Sequence, residues 1–216
     1  MVDRSAIMRA VRQPQSAAIA GIIFGLILIA VIYLLHSASG GGKEAAQWVD
    51  DPNRVNAVNL ALDLIPFAGI AFLWFIAVIR EQLGSREDRF FETVFLGSGL
   101  LFVAMLFAAA SALKSVLIMR DAGLPVSEEL LATMWSLAAA LLKEFGARMA
   151  AVFTISVATM GVRIGTVPRW LATIAWVTGL LLLLTPPMPT LTQLLFPVWV
   201  LLLSVHILVR RRRVSD

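Results

Sequence analysis

Six apolar runs, at about 17–35, 57–79, 91–118, 131–161, 169–185 and 191–209, take up most of this 216-residue chain. Each is near or above the roughly 20 residues that a helix needs to cross about 30 Å of hydrocarbon. Charged residues make up 15% of the chain and apolar ones 59%, against about 25% charged in soluble domains. With a mean hydropathy of +0.86, a water-soluble fold would have too little polar surface to cover its core. The expected fold is therefore all-α: a polytopic membrane helix bundle of six transmembrane helices, with residues 1–216 forming a single integral membrane domain.

Lysine and arginine positions orient such a bundle, because short cytoplasmic loops carry the excess. Alternate connections place Arg4, Arg9, Arg12, Arg80, Arg86, Arg89, Arg163, Arg169 and Arg210 to Arg213 on one side, twelve in all, and only Lys43, Arg54 and Arg120 on the other. Both termini are expected in the cytoplasm. Adding or dropping one span would scramble this partition downstream. The first run, at about 19 residues, exceeds the 7–15 residues of a signal-peptide core and is expected to remain as a span.

The connections carry finer signals. Residues 36–56 read as an external loop, flexible from Ser37 to Gly42, with a short interfacial helix over Lys43 to Val49 that sets Trp48 at headgroup level. Asp51-Pro52-Asn53 turns the chain into the second span. Gly84 is expected to stop that span, and Ser85 with Asp88 to open the third as a capping box. Gly123 and Pro125 break the chain before Ser127, Glu128 and Glu129 start the fourth, acids at the positive helix end. About 28 residues from Phe91 to Ile118 rise about 42 Å, so helices three and four are expected to project outside as a lobe. Pro66, Gly146 and Pro197 weaken the three inward-running spans and are candidate kinks, without a persuasive internal repeat.

Several chemistries are excluded or unsupported. Without cysteine, the chain has no disulfide, thiolate metal site, iron–sulfur cluster or thiol nucleophile. Its net charge of +4 comes from residues flanking apolar segments, where they act as topology signals, so no nucleic acid is expected. His36 and His206 fall at opposite membrane faces and cannot jointly hold a haem or a metal. Ser98 sits in Leu96-Gly97-Ser98-Gly99, which departs from the G-x-S-G of rhomboid proteases and lies on the wrong side of the membrane. Glu128-Glu129 lacks the arginine of an EExxxR protease motif, Thr133 standing in its place. No catalytic, cofactor-binding or metal-ligating residue is expected, and no cofactor.

Charges inside spans are the functional candidates, since each costs about 2.5–3.5 kcal/mol at the bilayer centre unless paired or wetted. They are Asp63, Lys114, Lys143, Glu144 and Arg148. Asp63 and Lys114 fall at similar depth and are expected to pair between helices. Glu144 and Arg148 are spaced i,i+4 on one face, with Lys143 about 100° away. The five can gather in the outer half as a polar plug or vestibule, Glu144 being the candidate switch between two bases. Small residues, Gly21 with Gly25 in one GxxxG and Gly97 with Gly99 in another span, are expected to permit close helix packing.

The stretch from Pro66-Phe67-Ala68-Gly69 through FLWFIAVIREQLG to EDRFFETVFLGSGLLF resembles a group of bacterial, actinobacterial-like multi-pass membrane proteins with no established activity. That resemblance implies a bacterial cytoplasmic membrane and transfers no site residue. The expected function is a non-enzymatic scaffold or accessory bundle whose partners are the lipid bilayer and a membrane protein or second copy. A small transporter or channel using the charged cluster is the alternative, and a membrane-embedded enzyme the third.

Overall fold

The computed structural model describes residues 14–40, 48–83, 89–184 and 190–215. Arg4, Arg9, Arg12, Lys43, Arg86 and the expected Gly84, Ser85 and Asp88 signals lie outside the described residues. All regular structure is helical, with no strand among the described residues. In order come α1 (Pro14–Ala38), α2 (Pro52–Leu83), α3 (Arg89–Asp121), α4 (Glu128–Ala140), α5 (Ala147–Arg163), α6 (Arg169–Leu184), the single turn α7 (Thr190–Gln193) and α8 (Leu195–Ser215). A π-helical turn, Leu141–Gly146, joins α4 to α5 as one rod.

Four helical segments are long and apolar enough to cross a membrane: Ala18–Ala38, Pro52–Arg80, Glu92–Asp121 and Glu128–Arg163. By length and composition they mark the chain as a membrane protein. The apolar segments Arg169–Leu184 and Leu195–Arg210 are shorter. The 16 residues of α6 rise about 24 Å, less than the hydrocarbon thickness of about 30 Å.

Local chemistry sets the helix ends. The Asn53 amide donates to Asp51 Oδ1 at 2.8 Å, and Pro52, with no amide to satisfy, opens α2. Ser127 caps α4, its hydroxyl accepting from the Leu130 amide at 3.2 Å. Gly123 takes φ +69 between α3 and α4, a conformation that costs glycine least.

The helices pack in a ring, α1 to α2 to α3 to the α4–α5 rod to α6 to α8 and back to α1. Contacts fix the directions as alternating. Gly21 faces Phe75 and Ser204 while Gly25 faces Pro197 and Leu201, so α1 is antiparallel to α2 and α8. Gly69 meets Phe107 and Arg80 meets Glu92, Gly99 meets Phe153 and Gly146 meets Met105, and Gly179 meets Ile155. Six cylinders in a ring leave a hollow axis, and aromatic rings fill it. Phe24, Phe72, Phe102, Phe153 and Phe196, from five helices, meet there. Phe72 lies 4.4 Å from Phe24 and 5.0 Å from Phe153 between ring centroids, and Phe102 lies 4.9 Å from Phe196. Tilted and edge-on geometry suits the ring quadrupoles. α6 instead presents Ala172, Ala175 and Gly179, small enough for close approach to α5. Around the outside the bundle is apolar, with Tyr33, Phe67, Ile70, Leu101, Leu180 and Leu202 all exposed.

Several expectations gain detail. The apolar run that holds Pro197 is interrupted at Leu194, and Pro197 falls in the first turn of α8, which begins at Leu195, where the first amides have no intrahelical acceptor and proline is tolerated. Gly97 packs against nothing, a Cβ there meeting no atom within 4 Å, whereas Gly99 is covered by Ile76 and Phe153. Trp48 is fully buried within the protein, its ring 6.1 Å from that of Trp135 in α4. The helix runs unbroken through Pro66, and the irregularity near Gly146 is the π turn, which that glycine ends against Met105.

The two kinds of glycine give a direct comparison. In Gly21→Ala the new methyl would overlap Ser204 Oγ and press on the Phe75 ring, and such overpacking is expected to cost about 1–3 kcal/mol. Gly97→Ala is expected to be neutral or stabilising by up to about 1 kcal/mol. Thermal unfolding of both variants in one detergent checks the order. By the same assay Phe72→Ala is expected to cost about 3 kcal/mol, the low end for a truncated core phenylalanine, because in lipid or detergent the loss is mainly of packing.

Candidate functional site

Relative to the phenylalanine layer, the charged side chains fall into two bands. Nine residues separate Asp63 from Phe72 and twelve separate Lys114 from Phe102, or about 14 and 18 Å along the helices. Glu144 and Lys143 stand nine and ten residues before Phe153, about 14 and 15 Å away, and Arg148 about 8 Å. Toward the end that carries Arg163, Arg169 and Arg210, Arg80 and Glu92 lie about 12 and 15 Å from Phe72 and Phe102. They form an ion pair, Arg80 Nε donating to Glu92 Oε1 at 2.6 Å. At this arginine end Arg210 Nη1 also donates to the carbonyls of Gly165 and Thr166 at 2.9 and 3.0 Å, tying α8 to the α5–α6 turn.

At the opposite end the five candidate charges do not converge. Lys114 Nζ donates to Asp63 Oδ1 at 3.1 Å and to Asn59 Oδ1 at 3.2 Å, bridging α2 and α3. This pair faces outward, with Lys114 41% and Asp63 67% exposed. Arg148 Nη1 donates at 2.6 Å to Glu144 Oε2 and at 2.7 Å to the Glu144 carbonyl, so the pair stays within the rod and also serves the backbone of the wide turn. Because α3 stands between α2 and the rod in the ring, the two pairs form no common plug. Glu144 is held by Arg148 alone of its two neighbouring bases.

Lys143 goes elsewhere. Its side chain lines a cavity of about 170 Å³ enclosed by α1, α3 and the α4–α5 rod, with Gln193 and Phe196 also on the wall. Leu28, Ile32, Phe102, Leu106 and Leu142 give it an apolar lining, and His36, Ser39, Gln193 and Lys143 are its polar residues. Trp135, packed on Trp48, lines the end remote from the phenylalanine layer, and Phe102 with Phe196 lines the other. Among the described residues, α8 does not reach this part of the ring. Gly25 lies against the Pro197 carbonyl, so α8 begins near the phenylalanine layer and leaves the last three turns of α1 without it as a neighbour.

Lys143 lies in the π turn Leu141–Gly146. In an α-helix successive residues are about 100° apart; a π turn adds a residue and rotates the helix beyond it, a geometry found often at functional sites. The Lys143 side chain lines the cavity, while the adjacent Glu144 pairs with Arg148. Among the described residues the Lys143 side chain has no ion-pair or hydrogen-bond partner.

Other candidates are placed more simply. Ser98 is buried and donates to the Phe95 carbonyl at 3.1 Å. His206 lies beside Trp170 at the arginine end, with the phenylalanine layer between it and His36. Among the described residues no three histidine, aspartate or glutamate side chains come together as a metal site would require. Sequence reasoning singled out Lys143 but missed the cavity, which depends on where α8 starts. It also missed the phenylalanine layer, though a phenylalanine near the middle of several apolar runs was a usable signal.

Compared with protein families, with curated proteins and with solved structures, the chain finds no match in any of the three.

Proposed function

We propose that this chain is a bacterial cytoplasmic-membrane protein that crosses the bilayer six times, with both termini in the cytoplasm, and acts as a non-enzymatic scaffold or accessory bundle. The phenylalanine layer is the natural midplane. Measured from it, the charges stand at about 8–18 Å on one side and about 12–15 Å on the other, around a hydrocarbon half-thickness of about 15 Å. Paired charges at that depth reach headgroups and water, which lowers the cost of their outward exposure. On this reading α6 and α8 are short spans, and the outer parts of α2, α3 and α4 project with Trp48 and Trp135 into an external lobe. The twelve basic residues of the arginine side against three opposite favour a cytoplasmic arginine end.

The observation that carries the scaffold reading over transport is the closed axis. Packed rings from five helices stop the cavity on its inner side, and the charge pairs sit off that axis. A conduit needs polar groups continuing between helices, and here the lining changes to aromatic rings.

Absence of native cysteine makes the topology directly testable. With single cysteines at Asp121→Cys and appended after Asp216, an impermeant maleimide is expected to label the first in intact cells and the second only after permeabilisation. Labelling of both from one face would overturn the orientation. For activity, vesicles reconstituted with wild type and with Glu144→Gln are expected to show no proton flux above protein-free vesicles. A flux in wild type that the substitution abolishes would favour the transporter reading.

A further inference from the structure

We propose that the Lys143 cavity binds one chain of an anionic amphiphile, its phosphate or carboxylate against the Lys143 ammonium and its hydrocarbon between α1 and the α4–α5 rod. This rests on the reading of the bundle as membrane-spanning and adds a ligand to it.

Three observations converge on this chemistry. The cavity is apolar over most of its wall and holds about 170 Å³, comparable to the roughly 150 Å³ apolar cavity that accepts benzene in an engineered protein. That is room for a segment of about six carbons, not for a whole lipid, so the rest of the chain must lie along the lipid-facing surface. Second, the cation on this wall has no partner among the described residues, while the neighbouring Glu144 is taken by Arg148. A buried or half-buried charge without a counter-ion is costly, and an anionic headgroup would remove that cost. Third, Lys143 stands about 15 Å from the phenylalanine layer along the rod, the depth at which the hydrocarbon ends and headgroups begin. Head and tail thus fit one molecule in the orientation of a lipid in the outer leaflet.

Polar residues of the wall, Ser39 and Gln193, suit the oxygens of a phosphate or glycerol. The charge sets the preference, and the cavity wall between Phe196 and Trp135 sets the requirement for a chain. A membrane lipid and a free single-chain amphiphile share this chemistry.

The test uses the full-length protein in a neutral detergent, with bound lipid read by native mass spectrometry. The probes are palmitoyl-oleoyl phosphatidylglycerol, phosphatidylcholine with the same chains, decyl phosphate and inorganic phosphate. Wild type is expected to retain phosphatidylglycerol about tenfold over phosphatidylcholine. Lys143→Gln is expected to abolish the preference and Lys143→Arg to keep it. Ala139→Phe, which puts a ring into the cavity wall, is expected to reduce retention of both lipids. Decyl phosphate displacing phosphatidylglycerol would extend the site to single-chain ligands and support the proposal. Displacement by inorganic phosphate at the same concentration would overturn the role of the chain, and an unchanged preference in Lys143→Gln would overturn that of the charge. Should Ala139→Phe fail to fold, the lysine pair alone decides. None of these outcomes alters the maleimide topology result or the proton-flux result, so failure here is separable from failure of the membrane reading.

Discussion

Helices surrounded by lipid gain nothing from hiding apolar surface from one another, because the surroundings are equally apolar. What holds this bundle is therefore close packing, and its two devices are complementary. Glycines at 21, 25, 99 and 179 bring neighbouring helices together, and phenylalanines at 24, 72, 102, 153 and 196 fill the axis that a ring of six helices would otherwise leave open. Dispersion contacts of this kind are individually small and collectively large. Everything else is arranged about that layer: the ion pairs above and below it, the short α6 and α8 that pack beside it, and the cavity that begins where α8 does.

The charges obey the same constraint. Lysine and glutamate are tolerated in apolar helices when their head groups reach a partner or the interface. Asp63 finds Lys114 across a helix contact, and Glu144 finds Arg148 one turn along its own helix. Lys143 is the exception. It lies in the π turn and lines the cavity, while its neighbour Glu144 is paired with Arg148.

How far the sequence revealed this depends on what each feature rests on. Helical content and the ends at Asp51–Pro52 and Ser127 are local, and the residues show them directly. Both ion pairs were legible as well, one from i,i+4 spacing and one from equal depth. The separation of the Asp63–Lys114 pair from the rod was not, because helix order around a ring is invisible to depth counting. Pro197 marked an interrupted apolar run, but not that the break falls at Leu194, between a single turn and a helix that begins two residues before the proline. The burial of Trp48 against Trp135 is a tertiary contact that no local pattern carries. Gly97 and Gly99 are two residues apart, so they point to different sides of their helix, and one is packed while the other is open.

Closure of the bundle axis by the phenylalanine layer is the feature on which the scaffold reading turns. Ala139 lines the cavity and Val157 is buried on the arginine side of the layer. Single cysteines at these two positions, treated with an impermeant methanethiosulfonate from the cavity's face of the membrane, measure the closure. A closed axis predicts modification of Ala139→Cys and none of Val157→Cys. Modification of Val157→Cys from that face would contradict it.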